Sequence, residues 1–195
     1  MLFGKTPYSV LVVSSGEKIN DFLNEVLGSN MYSPVIFTKN GGEARNILIS
    51  QSFDLVIINS PLSDEFGSEL AFKLTENAVC GVIMIIKSDV FDEVSERVEQ
   101  YGVLAVSKPI SRVLFLQILK ISIATLERLK RLERENKKLS FKIEEIRLID
   151  RAKWVLIEYL KMSEPQAHRY IEKQAMDMRI TRREVAESII KTYEN

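Results

Sequence analysis

Leu55-Val56-Ile57-Ile58, preceded by Asp54 and followed by Asn59-Ser60-Pro61, is apolar at every position. A strand with one wet face alternates apolar and polar residues. A short run without alternation, closed by turn residues, is expected of a strand covered on both faces, as in a parallel sheet. Ser9–Val13, Pro34–Phe37, Val82–Ile86 and Val103–Val106 have the same character. Between them lie segments with helical spacing: Ile19, Phe22, Leu23, Val26 and Leu27; Ala44, Ile47 and Leu48; Leu70, Ala71 and Leu74; Val94, Val98 and Tyr101. Five strands alternating with helices predict an α/β, doubly wound domain with a five-stranded parallel sheet of flavodoxin-like order.

Composition sets the outer bounds. The chain has 195 residues, 46% of them hydrophobic and 28% charged, enough apolar material for a packed core. The single cysteine, Cys80, rules out a disulfide framework or a Cys-rich zinc site within one chain and fits a reducing compartment. Met1-Leu2-Phe3-Gly4-Lys5 leads into the first strand without a signal-peptide core, and no apolar run approaches the roughly 20 residues of a membrane span. A cytoplasmic protein is expected, with no cofactor and no metal. Net charge is zero but uneven: residues 1–125 carry 10 Lys/Arg against 14 Asp/Glu, and residues 126–195 carry 17 against 13. The positive balance of the C-terminal part points weakly to an anionic partner.

In a doubly wound sheet the functional site lies at the carboxyl ends of the strands. There, Asn40-Gly41-Gly42-Glu43-Ala44 opening the second helix and Ser107-Lys108-Pro109 after the fifth strand resemble a response-regulator receiver domain, over nearly all of residues 8–125. The resemblance implies a phosphoacceptor site, and most of its chemistry is missing. Ser14-Ser15 stand where receivers carry magnesium-binding acids, Asn59 where they carry the phosphorylated aspartate, and Ile86-Lys87 where they carry Thr or Ser. A hard cation needs carboxylate oxygens, and an amide cannot form an acyl phosphate. Residues 1–122 are therefore expected to be a pseudo-receiver. Lys108 reads either as a relic of the phosphate network or as a turn lysine, and Lys87 as a magnesium substitute or an exposed loop lysine.

No proline or glycine interrupts the chain from Ile110 to Leu160, so one long helix is expected. Leu129, Leu132, Asn136, Leu139, Ile143 and Ile146 occupy alternating a and d positions of a heptad. Ile at a with Leu at d favours two strands, and a lone Asn at a fixes parallel register. Arg128 would face Glu133 of a partner favourably, and Lys142 would face Arg147 unfavourably. Residues 123–147 are expected to dimerise as a parallel coiled coil; the other reading is an amphipathic helix packed within one chain.

Residues 148–195 predict a small three-helix module. Its first helix continues through Ile149, Ala152, Leu156 and Leu160. The second opens at the capping box Ser163-Glu164-Pro165-Gln166. The third opens at Thr181-Arg182-Arg183-Glu184, with Ile180 and Val185 as its hydrophobic staple. Ala152-Lys153 with Leu156, Ser163-Glu164 with Ala167, Ile171, Ala175-Met176, Arg179, and Val185-Ala186 with Ile189-Ile190 resemble the ANTAR RNA-binding module. Trp154, where a small residue is common, and Pro165-Gln166 depart from it. Arg182 and Arg183 sit in a first helical turn, where the helix dipole disfavours cations, unless they share phosphates with the helix N-terminus. Arg169, Lys173, Arg179, Arg182 and Arg183 are expected to form a basic ridge, with Lys153 as a further candidate; the other reading is a solvated face. His168, the only histidine, and Tyr170 and Trp154 are either RNA contacts or ordinary surface and partial core. No catalytic motif is present, so an enzyme is not expected. The ANTAR resemblance implies a dimeric antiterminator that binds hairpin-loop RNA in leader transcripts. A sensor protein acting on the pseudo-receiver would supply its control. A DNA-binding response regulator and a dimeric protein-interaction adaptor are the alternatives.

Overall fold

The computed structural model describes residues 6–77 and 79–193; Met1–Lys5, read above as carrying no signal sequence, lie outside them. Two compact units divide at Arg131/Leu132. The first alternates β1 (Tyr8–Val13), α1 (Glu17–Leu27), β2 (Tyr32–Thr38), α2 (Gly41–Ser50), β3 (Leu55–Asn59), α3 (Ser68–Asn77), β4 (Gly81–Ile86), α4 (Phe91–Glu99) and β5 (Leu104–Ser107), then enters the long helix α5 (Arg112–Leu160). Every strand pair is parallel, in the order β2-β1-β3-β4-β5, the flavodoxin-like order expected.

The uniformly apolar strands divide by parity. Val10, Val12, Leu55, Ile57, Ile83 and Ile85 pack with Leu23 and Leu27 of α1 and Phe115 and Leu119 of α5. Leu11, Val13, Val56, Ile58, Met84 and Ile86 pack with Ala44 of α2, Leu70, Ala71 and Leu74 of α3 and Val98 of α4. Each fully buried side chain of this size contributes about 1.5–3 kcal/mol, so both faces reward an unbroken apolar run.

Two local differences from the sequence reading have clear causes. Strand β2 is longer than Pro34–Phe37. As an edge strand it tolerates a proline that cannot donate to the ladder, and the register with β1 shifts by one residue there, from Tyr8–Tyr32 to Val10–Val35. Tyr101, expected on the apolar face of α4, lies beyond that helix. The chain turns at Gly102, whose φ of 75° suits glycine, and the Tyr101 ring sits 4.2 Å from that of Phe72.

Asp54 stands at the start of β3, away from the carboxyl ends of the strands. Its carboxylate accepts from the Ser9 N–H at 2.9 Å and the Ser9 hydroxyl at 3.1 Å, and it pairs with Lys130 of α5. Burial pushes this carboxyl up, but Lys130 and Ser9 outweigh it and hold it below its ordinary value. The Tyr8 hydroxyl donates to Glu127 Oε1 at 3.0 Å, a second tie from the sheet to α5. Cys80 is mostly buried, which pushes its thiol up to about 11 and keeps it a weak nucleophile. Among the described residues no helix is long and apolar enough to cross a membrane.

The second unit comprises the C-terminal part of α5 with α6 (Glu164–Met178) and α7 (Arg182–Tyr193). Ala152, Ala167, Ala175 and Ala186 are all buried, with Val155, Leu156, Ile171, Val185 and Ile189 filling the space between them. Small residues at these positions let three short helices approach closely.

Candidate functional site

At the carboxyl ends of the strands, the side chains in the acceptor position are hydroxyl and amide groups. Ser14 and Asn59 are buried, and Asn59 Nδ2 donates to Ser14 Oγ at 3.0 Å. The Gly16 N–H donates to the same hydroxyl oxygen at 3.3 Å. Ser15 is exposed, Ile86 is buried in the core and Lys87 is exposed. Lys108 Nζ donates to the Ser60 carbonyl at 2.8 Å; burial and, behind it, the charge of Lys87 push its ammonium pKa down. Two acids of the loop after β3 have other duties. Asp64 accepts from the Gly41 and Gly42 N–H groups, both at 2.9 Å, and so caps α2. Both Glu65 carboxylate oxygens accept from Arg45 Nη2, at 2.7 and 2.8 Å. Incubation with acetyl phosphate and magnesium is therefore expected to leave intact mass unchanged. Asn59→Asp alone should behave the same, because Ser14 and Ser15 still supply no carboxylate for the cation. A stable phosphoprotein mapped to residue 59 in either form would show this account of the site to be wrong.

In the second unit, helix ends set the positions of the basic side chains. Helix α6 starts at Ser163, whose N–H and hydroxyl both donate to Gln166 Oε1, at 2.8 and 3.0 Å. Helix α7 starts at Thr181, whose N–H and hydroxyl donate to Glu184 Oε2 at 2.7 Å, while the Glu184 N–H returns to Thr181 Oγ1 at 3.2 Å. Those two bonds hold the Glu184 carboxyl below its ordinary range. Between the helices, Arg179 adopts the left-handed conformation, φ 55°, and the Ile180 N–H reaches back to the Ala175 carbonyl at 3.1 Å. Glycine normally fills this position.

The six candidate cations separate by what they touch. Arg169 and Lys173 lie one turn apart on the side of α6 opposite the buried Ala167, Ile171 and Ala175. They and Arg179 are exposed, and among the described residues none of the three makes an ion pair. Arg182 is half-exposed and leans toward Glu172 at 3.5 Å, an acid that also meets His168 at 3.4 Å. Lys153 and Arg183 are engaged inside the unit. Lys153 bridges Asp150 at 2.8 Å and Glu164 at 2.9 Å with only 16% of its side chain exposed, tying α5 to α6. Arg183 bonds Glu187 at 2.9 Å and places its guanidinium 4.7 Å from the centre of the Phe141 ring, tying α7 to α5. Sequence reading missed Phe141. It is off the a/d seam, and that isolated aromatic at an outer heptad position was the available signal. Tyr170 is 36% exposed, and Trp154, read as partial core or RNA contact, is 69% exposed.

Arg179 also yields a test with opposite signs. A non-glycine residue in the left-handed region costs about 1–2 kcal/mol, of which a cation at a helix C-terminus recovers about 0.3–1 kcal/mol. Arg179→Gly is expected to stabilise the second unit by up to about 1.7 kcal/mol in urea unfolding while weakening binding to an anionic ligand. Loss of stability would show that the Arg179 side chain holds the α6–α7 joint together.

Residues 137–190 match the family model described as the ANTAR domain, beginning inside α5. Over 187 residues the chain is 28% identical to "Transcriptional regulatory protein PdtaR" of Mycobacterium tuberculosis (strain CDC 1551 / Oshkosh), covering 95% of this chain and 91% of that protein. The signal receiver domain of an HD domain-containing protein from Pseudomonas fluorescens Pf-5 has a TM-score of 0.59 at 19% identity, over 67% of this chain and 97% of its own. Full-length FixJ from B. japonicum has a TM-score of 0.57 at 13% identity, over 95% of this chain and 98% of its own. These structural likenesses speak to fold alone. The chain thus carries, at residues 137–190, a segment that matches the ANTAR domain, behind a domain of receiver fold.

Proposed function

We propose that this chain is an RNA-binding antiterminator that acts as a dimer on hairpin loops in leader RNA, with control through a partner protein instead of phosphorylation. The observation that carries the reading is the set of exposed cations on the ANTAR domain: Arg169, Lys173 and Arg179, free of ion pairs among the described residues, with Arg182 beside them. Phosphate contacts by such residues supply affinity, and unpaired loop bases supply sequence. Lys153 and Arg183, already held by protein groups, brace the helices that present this set.

Dimerisation is supported by the a/d stripe. Leu129, Leu132, Leu139, Ile143 and Ile146 are each 45–59% exposed, and Asn136 lies among them. An apolar stripe in water, here interrupted only at Asn136, marks an association surface. Glu133, cast as the partner of Arg128 across a dimer, bonds Lys137 of its own helix at 2.7 Å, so that cross-strand pair adds little. Division of the chain into a pseudo-receiver at 1–122, a dimerisation helix at 123–147 and an RNA module at 148–195 belongs to the same proposal, with α5 running through all three. Two modules joined in one dimer would engage two hairpins, and joined sites multiply weak affinities. The buried Ser14–Asn59 pair supports an input by binding of a sensor protein in place of phosphoryl transfer. The test is a titration of labelled paired-hairpin RNA at two salt concentrations against duplex DNA. Salt-dependent binding of the RNA with weak binding of the DNA is expected; equal affinity for both would overturn the RNA reading.

A further inference from the structure

We infer that Trp154 on α5 is a stacking platform for an unpaired RNA base, a contact separate from the α6–α7 cations and resting on the functional reading above. Trp154 is the only tryptophan of the chain. Its neighbours Ala152, Val155 and Leu156 are buried in the core of the second unit, while the indole faces the other way and is 69% exposed. Core packing therefore does not account for it, and the ANTAR resemblance has a small residue there. Arg147, Arg151, Trp154 and Glu158 follow at spacings of four, three and four, so they share one stripe of α5, and Lys161 comes directly after the last residue of that helix. All five are solvent-exposed, and three are cations against the single acid Glu158. An apolar ring between cations matches a base flanked by its phosphates. Every base has a π-face to offer an aromatic side chain, while the cations follow the backbone. That charge complementarity favours RNA over an apolar protein surface. A second copy of the chain, reached because Trp154 stands next to the a/d seam, is the competing occupant.

The single indole supplies its own readout. Full-length protein is titrated with a fluorophore-labelled paired-hairpin RNA, following label anisotropy and, in parallel with unlabelled RNA, tryptophan emission. Emission should be quenched in step with the rise in anisotropy. Trp154→Ala should weaken binding about 5- to 150-fold, the equivalent of 1–3 kcal/mol for one stacked base, and Trp154→Phe should retain most of the affinity. Because the side chain lies outside the core, neither change should alter the circular dichroism melt. Abasic substitution in the loop should abolish both the quench and the penalty of the alanine variant. RNA binding seen by anisotropy with unchanged emission, and with Trp154→Ala binding as the wild type does, would overturn this site and leave the functional reading standing. Emission that shifts with protein concentration in the absence of RNA would assign Trp154 to contact between copies and overturn it too. A hairpin that fails to bind wild-type protein by anisotropy would overturn the functional reading itself.

Discussion

Leu132→Ser combined with Leu139→Ser is expected to convert the protein to monomers and to abolish its preference for paired over single hairpins. Both leucines occupy d positions and are 48% and 59% exposed in the single chain. A parallel dimer would bury both from each protomer, four side chains in all. At about 1.5 kcal/mol or more for each, their loss costs some 6 kcal/mol of association, about four decades in dissociation constant. The fold of each chain should be spared, because neither residue belongs to any of the three buried clusters. Light scattering reads the first effect and circular dichroism checks the fold. Paired-hairpin binding should fall by about 10²- to 10⁴-fold, the gain that a joined second site supplies, while single-hairpin binding changes little. A double variant that stays dimeric would place the interface on another surface.

The second large effect concerns the exposed cations. Arg169→Gln, Lys173→Gln and Arg182→Gln together should lower the slope of log affinity against log salt by about 2, at about 0.7 for each phosphate contact on a flexible strand. At 0.1 M salt that corresponds to about a hundredfold weaker binding. Stability should change little. Arg169 and Lys173 make no ion pair among the described residues, and Arg182 leaves a helix N-terminus that disfavours cations. Arg183→Gln should behave differently. It removes the contact with Phe141 and the bond to Glu187, so it should loosen α7 in hydrogen exchange while leaving the salt slope nearly unchanged. If instead Arg183→Gln lowers the slope as a lost phosphate contact does and α7 stays protected, Arg183 belongs with the RNA-facing set.

The sequence by itself determined the sheet and the helix ends, because both are written in short-range terms. A strand covered on both faces must be apolar at successive positions, which Leu55–Ile58 states directly. Thr181 and Glu184 are three residues apart and cap α7 whatever lies around them. That Asn59 cannot form an acyl phosphate was equally legible, since an amide lacks that chemistry in any fold. Tertiary structure decided which charges are free. Lys153 meets Glu164 eleven positions on, and Arg183 meets Phe141 across forty-two positions; helical periodicity gives the face a side chain occupies but not what covers that face. The same limit hid Asp64 on the α2 N-terminus and the exposure of Trp154. Local chemistry fixes conformation, whereas the availability of a charge or a ring for a ligand depends on partners brought together only when the helices pack.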